Sequence, residues 1–444
     1  MKKDVSRVRL KHLKNTADCA SKVCEAPKEV YIPLKMSSGE GELDCFVSVG
    51  DYVKVGTLLG SGTDGVYAPV HSSVSGTVKD IIPVLADGLM TGTVKIESDG
   101  KMDTDEKISI PEEPLDLDGF IEAVKASGVV GLGGGAYPAW MKLNAAKDKH
   151  IHTVIINGME CEAYLTSDYR TMIEDGEYLK KGIELLKKYL KCESIKICVG
   201  SDMSAAISSL KKISEGDSSV EVVDLEATYP QGSEQVLMYS VTGEVLRNGA
   251  YPVDSGVLVM NVTTLSKIGE YFVTGMPLVS KRVTVDGTVV KNPGNYVVPI
   301  GTPLSYLFEM AGLKEDPSKI VVGGPMMGHT ARNMDEPVVK STSGVIAFDE
   351  KESEAIEPGT CIHCGKCIEA CPMSLDPTAF VKAMNTEDEK LRVEILTREH
   401  IELCMHCGSC SYVCPAHRPV VQGNIKADIY MQTLNKEKEE RSRS

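Results

Sequence analysis

The sequence predicts a multidomain protein of mixed α/β and α+β class, and three observations predict it. Between residues 117 and 270, short apolar runs alternate with stretches of helical period, the pattern of an α/β layer. Residues 28–98 are instead rich in strand formers and turn signals. A duplicated cysteine run lies between Cys361 and Cys414. With 444 residues, three or so domains are expected. Hydrophobic residues make up 42% but aromatics only 5%, with the single Trp140, so the cores must be aliphatic.

Charge excludes one class of partner. Against 48 basic residues stand 63 acidic ones, a net charge of −15, and binding nucleic acid needs a basic surface. No apolar run approaches the roughly 18 residues of a membrane span, so no transmembrane segment is expected. Lys2, Lys3, Arg7, Arg9, Lys11 and Lys14 make the start basic, with no apolar stretch after them that would mark a secretory signal. The expectation is a solvated arm over residues 1–27; its alternative is contact with an anionic membrane or an acidic partner. Fourteen cysteines in such a chain point to a reducing compartment and to metal ligation. The expected location is the cytoplasm or the cytoplasmic face of a membrane.

The chemistry is most legible in the cysteines. Cys361-Ile-His-Cys364-Gly-Lys-Cys367-Ile-Glu-Ala-Cys371-Pro372 is followed by Cys404-Met-His-Cys407-Gly-Ser-Cys410-Ser-Tyr-Val-Cys414-Pro415. Both runs read Cys-x2-Cys-x2-Cys-x3-Cys-Pro, the bacterial ferredoxin spacing, in which the fourth cysteine of each run ligates the other cluster. Two [4Fe–4S] clusters are therefore expected, one on Cys361, Cys364, Cys367 and Cys414, the other on Cys404, Cys407, Cys410 and Cys371. Gly365 and Gly408 permit the backbone to pass close to a cube. Structural zinc also favours Cys-x2-Cys pairs but gives no reason for the x3-Cys-Pro ending. His363 and His406 read as duplicated loop residues rather than ligands. The ferredoxin-like domain is expected over 353–424.

In the α/β region, Val154-Ile-Ile156 and Ile195–Val199 read as buried strands and Leu179–Leu190 as a helix. Gly131-Leu-Gly133-Gly134-Gly135-Ala-Tyr137-Pro138, then Lys142, is a loop whose amides suit an anion, typically a phosphate. It is not the dinucleotide fingerprint G-x-G-x-x-G after a clear strand. Asn157-Gly-Met-Glu160-Cys-Glu162, Tyr229-Pro-Gln-Gly232-Ser-Glu234 and Asn261-Val-Thr-Thr264 follow in order.

These motifs together resemble the flavin-bearing, NADH-oxidising subunit of respiratory complex I, and more closely the RnfC family, the peripheral NADH-binding subunits of Rnf complexes. The resemblance runs from about residue 28 to 420. It implies that Gly131, Gly133, Gly134, Gly135 and Lys142 cradle FMN, with Asn157, Glu160, Gly232, Asn261 and Thr264. It implies Tyr137 against the NADH rings and Glu162 and Glu234 near the nicotinamide and ribose; the plain reading of the three acids is a solvated face. Two departures stand out. The loop reads Gly135-Ala136-Tyr137-Pro138-Ala139 where the family has A-G-F-P-T, and Ala163 and Tyr169 replace a Pro and a His.

The same resemblance assigns residues 28–100 to a β barrel-sandwich hybrid like that of lipoyl and biotinyl carriers. No lysine lies between Lys54 and Lys79, so no swinging arm is expected. Residues 115–275 would be the α/β flavin/NADH-binding domain and 280–332 an SLBB β-grasp module. The second glycine-rich turn, Gly323–Gly328, is expected to pack between domains rather than bind phosphate. Residues 331–355 read as a polar connector, and 425–444 as a charged, disordered tail. The stretch Met36–Cys45 and the first 25 residues, with Cys19 and Cys24, differ from the family's usual start.

The function the resemblance implies is electron transfer between NAD(H) and a redox partner, via FMN and two [4Fe–4S] clusters. The partner is another member of an Rnf complex or ferredoxin. One alternative is a soluble NADH-dependent donor to a cytosolic reductase, such as D-proline reductase. A second is a flavin-less iron–sulfur relay or scaffold.

Overall fold

A computed structural model describes residues 5–443 except 12, 36–41 and 248; Lys2, Lys3 and most of the divergent Met36–Cys45 stretch lie outside the described residues. The chain forms two compact units. One comprises His12–Glu226 and Pro252–Ser353, the other Met1–Lys11, Ala227–Tyr251 and Glu354–Ser444.

The larger unit holds three layered cores. The first is the barrel-sandwich. Glu29–Pro33, Leu89–Ser98, Gly76–Ala86 and Tyr52–Val53 form an antiparallel sheet in that order, and Asp44–Cys45, Leu58–Ser61 and Val70–His71 a second sheet. Alternating residues such as Val30 and Ile32, or Val94 and Ile96, point into one core, as a period of two requires. Gly76 marks the tightest approach: a Cβ there would lie 2.0 Å from the Glu97 carbonyl oxygen.

The second core is the expected α/β layer. Val220–Leu225, Ser194–Gly200, Thr153–Gly158 and Val257–Asn261 run parallel in that order. Val154, Ile155 and Ile156 are all buried, because a parallel sheet covered on both faces reads as a continuous apolar run. The helix foreseen over 179–190 spans Gly176–Leu190 and packs on Val262–Thr274.

The third core is the β-grasp, and here the chain departs from expectation. Its six-stranded sheet runs Lys22–Val23, Gly294–Pro299, Ser280–Asp286, Gly344–Phe348, Lys319–Val322, His329–Thr330. Residues 331–355 are therefore not a plain connector. Gly344-Val-Ile-Ala-Phe348 is wholly buried and pairs with Ser280–Asp286 on one side and Lys319–Val322 on the other. Nor is the arm wholly solvated, since Lys22–Val23 adds the edge strand. Arg282 ties this sheet to the α/β layer, donating to Asp175 at 2.8 and 3.0 Å and to Glu174 at 3.1 Å.

The smaller unit carries the cysteines on short helices, Lys366–Glu369, Pro377–Met384, Glu389–Arg398 and Ser409–Tyr412. The final helix, Val420–Arg443, runs 24 residues through the segment expected to be disordered. Its first turns are anchored by buried Val420, Val421, Asn424 and Ala427, and the polar remainder continues from them.

Candidate functional site

The two cysteine runs fold alike. His363 and Gly365 in the first have φ of 56° and 77°; His406 and Gly408 in the second have 53° and 78°. Each left-handed pair turns the chain between the second and third cysteine, and a one-turn helix follows. The fourth cysteine crosses over. Cys361, Cys364, Cys367 and Cys414 line one cavity, and Cys371, Cys404, Cys407 and Cys410 line another. This is the division the spacing predicts. Among the described residues no three His, Cys, Asp or Glu side chains converge as they would on a single ion; the thiols surround wider spaces. Burial pushes the Cys404 thiol up to about 11 and the Cys410 thiol up to about 12, so these sulfurs suit a bound cationic centre that holds them as thiolates. Neither cavity is lined by a second set of acids or imidazoles beyond Asp376, His363 and His406, so the donor chemistry fits iron–sulfur clusters.

Behind the second cavity, the buried Tyr229 hydroxyl donates to the Cys407 carbonyl at 2.6 Å. The Tyr229–Glu234 motif thus belongs to the cysteine-bearing unit, and with it Gly232 and Glu234. Glu234 opens the helix Glu234–Thr242. Gln231 beside them is fully buried, with both atoms of its side-chain amide unpaired.

The remaining predicted residues gather at the carboxyl ends of two neighbouring parallel strands, where α/β sheets bind ligands. Asn157 and Asn261 stand opposite each other in register. Asn261 caps the helix Val262–Thr274, accepting from Thr264 N, and its side-chain amide donates to Asp168 at 2.7 Å. The Thr264 hydroxyl accepts from Leu132 N at 2.8 Å. The glycine loop is closed by Gly131 N to Tyr137 O and Ala136 N to Gly131 O. Gly133, Gly134 and Gly135 between them stand exposed, and a Cβ on Gly134 or Gly135 would meet nothing within 4 Å. A Cβ on Gly133 would lie 2.8 Å from the Asn261 amide. An open row of glycines above two asparagines is a cradle that fits an anionic cofactor such as FMN. Tyr137 is exposed beside it. Lys142 differs from expectation: its ammonium donates to the Val259 carbonyl at 2.9 Å.

Ala136, where the family has glycine, has φ of 48°. The swap therefore leaves the loop shape intact and places an alanine in the left-handed region, at a cost of roughly 1–2 kcal/mol.

Both acids of the second motif are engaged rather than solvated. Glu160 accepts from Ser167 Oγ, Asp168 N and Tyr169 N at 2.8–3.1 Å, capping the helix Ser167–Glu174. Glu162 accepts from Met326 N at 3.0 Å and Met327 N at 2.9 Å. The second glycine-rich turn thus packs on Glu162, and a Cβ at Gly324 would sit 2.3 Å from its carboxyl carbon. Burial pushes each carboxyl up to about 7.

Three residues carry no signal in the sequence. Lys14, one of the basic arm, donates its ammonium to the carbonyls of Glu160, Glu162 and Leu165 at 2.7, 2.9 and 2.5 Å. Lys281 is fully buried and donates to Leu132 O of the glycine loop at 2.9 Å and to Lys340 O at 2.8 Å; burial brings it down to about 7. Asp168 is buried against Asn261 and Thr263, and burial raises it. Nothing in composition distinguishes these three from surface charges.

Comparison with known proteins agrees with this architecture. Residues 6–101 match the RnfC barrel sandwich hybrid domain, 124–270 the Nuo51 FMN-binding domain, 282–330 the SLBB domain and 357–418 the 4Fe-4S dicluster domain. The first match reaches back into the arm expected to differ. The RnfC-type component of the Na(+)-translocating ferredoxin:NAD(+) oxidoreductase complex of Acetobacterium woodii is 38% identical over 82% of this chain and 83% of its own. Its counterpart in the proton-translocating complex of Clostridium ljungdahlii is 35% identical over 82% and 80%. In fold, the chain resembles an NAD+-reducing [NiFe]-hydrogenase, with a TM-score of 0.51 at 18% identity, over 70% of this chain and 61% of that one. The chain belongs to the RnfC family of the ion-translocating ferredoxin:NAD(+) oxidoreductase complexes.

Proposed function

We propose that this chain passes electrons between NAD(H) and a protein partner, as the peripheral, NADH-binding subunit of an Rnf-type complex. The observation that carries the reading is the sorting of eight cysteines into two sets of four, on a chain that also holds an FMN-binding domain. Bound FMN and two [4Fe–4S] clusters would supply the conversion of a two-electron hydride into single electrons. The protein's own part is positioning. Gly133, Gly134 and Gly135 offer amides to a phosphate, Thr264 and Lys281 hold the loop from both sides of the Leu132 peptide, and Lys14 fixes the turn bearing Glu160 and Glu162. Among the described residues no helix is long and apolar enough to cross a membrane, which accords with attachment through other subunits.

The test is cofactor content after anaerobic purification. About eight iron atoms and one FMN per chain are expected, with the flavin bleached by NADH and not by NADPH. Flavin absent even after reconstitution would refute the reading. Glu162→Gln should weaken NADH oxidation in steady-state kinetics with FMN and iron retained; unchanged kinetics would remove Glu162 from the nicotinamide site. The same variant has a stability signature. Burial lifts Glu162 from 4.5 to about 7, so the folded state keeps a proton that the unfolded chain releases. Stability from this group is full below about 4.5 and lost as pH rises through about 7. Glu162→Gln should therefore lack that decline, gaining on the wild type from pH 5 to pH 8 in denaturant titrations.

A further inference from the structure

The two cysteine cavities differ in what surrounds them. The second is lined by Met373, Leu375, Phe380, Met405 and Val421, and by no lysine, arginine, aspartate or glutamate. The first is lined by Lys366, Lys382 and Arg418, with His363 and a single carboxylate, Asp376. That carboxylate is already engaged, capping Pro377–Met384 by accepting from Thr378 N and Ala379 N. Among the described residues neither lysine takes part in an ion pair. Arg418 gives one N–H to the Gly359 carbonyl at 3.1 Å. Cys364 is exposed at this rim, and so are two apolar side chains, Ile362 at 66% and Ile368 at 42%. Glu369 is also exposed on the same turn but does not line the cavity.

A basic ring with exposed isoleucines, around the more open of two redox sites, is unusual on a chain of net charge −15. Elsewhere the surface repels acidic proteins, and here it attracts them. Apolar contacts flanked by complementary charge suit a transient docking surface, in which charge sets orientation and encounter rate.

We propose that the rim of the first cysteine cavity, built from Lys366, Lys382, Arg418, Ile362 and Ile368, docks an acidic ferredoxin-type electron carrier. The proposal rests on the clusters of the proposed function. In the docked pair one electron passes between the cluster on Cys361, Cys364, Cys367 and Cys414 and the cluster of the carrier. One cluster is oxidised as the other is reduced, and no bond or proton is exchanged. The second cavity, enclosed and uncharged, then serves as the inner relay.

The experiment measures binding of an oxidised 2[4Fe–4S] ferredoxin to the anaerobically purified full chain by interferometry, at several salt concentrations. The wild type should bind at low salt and weaken steadily as salt rises. Lys366→Glu and Lys382→Glu should each raise Kd by about three- to tenfold, and the double variant more, because like charges then face each other. Lys211→Glu, an exposed lysine on the helix Ser204–Ile213, should leave Kd unchanged. Iron content of every variant serves as the fold control. No binding by the iron-replete wild type, or reversals that move Kd no more than Lys211→Glu, would overturn the proposal. A wild type without iron would instead refute the proposed function itself.

Discussion

The two cysteine runs share their spacing, their left-handed His and Gly, and their one-turn helix, yet their surroundings are opposite. The position after the glycine shows the difference most sharply. It is exposed Lys366 in the first run and Ser409, 1% exposed, in the second. Duplication kept the backbone that wraps a cube and let the shell diverge, one site toward solvent and charge, the other into a core with Phe380, Val420 and Val421. What a ligand motif dictates is local geometry. What it leaves free is access, and access decides which site meets a partner.

Three substitutions press on that contrast. The largest effect is expected from replacing a ligand on each side. Cys410→Ala removes a ligand from the enclosed site and should cost half the iron and at least about 3 kcal/mol of stability by thermal denaturation, because that site is part of a core. Cys364→Ala should also lose half the iron, but with a smaller fall in stability, and flavin reduction by NADH should survive. Equal losses would mean that both sites are structural. Next comes an exchange of the divergent residue. Ser409→Lys buries an ammonium with no partner and should cost about 3–5 kcal/mol, whereas Lys366→Ser should stay within about 0.5 kcal/mol. A Ser409→Lys variant as stable as the wild type would show that the second site is open. The smallest effect tests what the runs have in common. With φ of 77° and 78°, Gly365→Ala and Gly408→Ala should each cost about 1–2 kcal/mol in denaturant titrations. Gly365 would carry only this backbone penalty, since a Cβ there meets nothing within 4 Å.

Much of this is legible because spacing encodes it. Three cysteines two residues apart, then one before a proline, admit one way around a cluster, and the crossover of Cys371 and Cys414 follows. The glycine loop is legible for a similar reason, since only glycines leave such a row of amides open. Long-range contacts are not. Lys14 looks like any lysine of a basic arm until the fold brings three carbonyls to its ammonium. Gly344–Phe348 is too short a run to distinguish from a hydrophobic patch in a connector, and becomes a strand because two neighbours in the sheet leave room for it. The last helix defies its composition: its charge suggests disorder, while four residues at its start suffice to seat it. Glu160 is expected at the flavin and Glu162 at the nicotinamide; their carboxylates hold backbone amides of Asp168 and Tyr169, and of Met326 and Met327.

The central claim is that the two runs exchange their fourth cysteine, and iron content of paired alanine variants tests it most directly. Cys371 and Cys404 line the same cavity, so Cys371→Ala/Cys404→Ala should keep about half the iron, no less than either single variant. Cys361→Ala/Cys371→Ala, which touches both cavities, should lose nearly all of it. If instead the Cys371/Cys404 pair emptied the protein of iron while the Cys361/Cys371 pair kept half, each run would hold its own cluster, and the account would be contradicted.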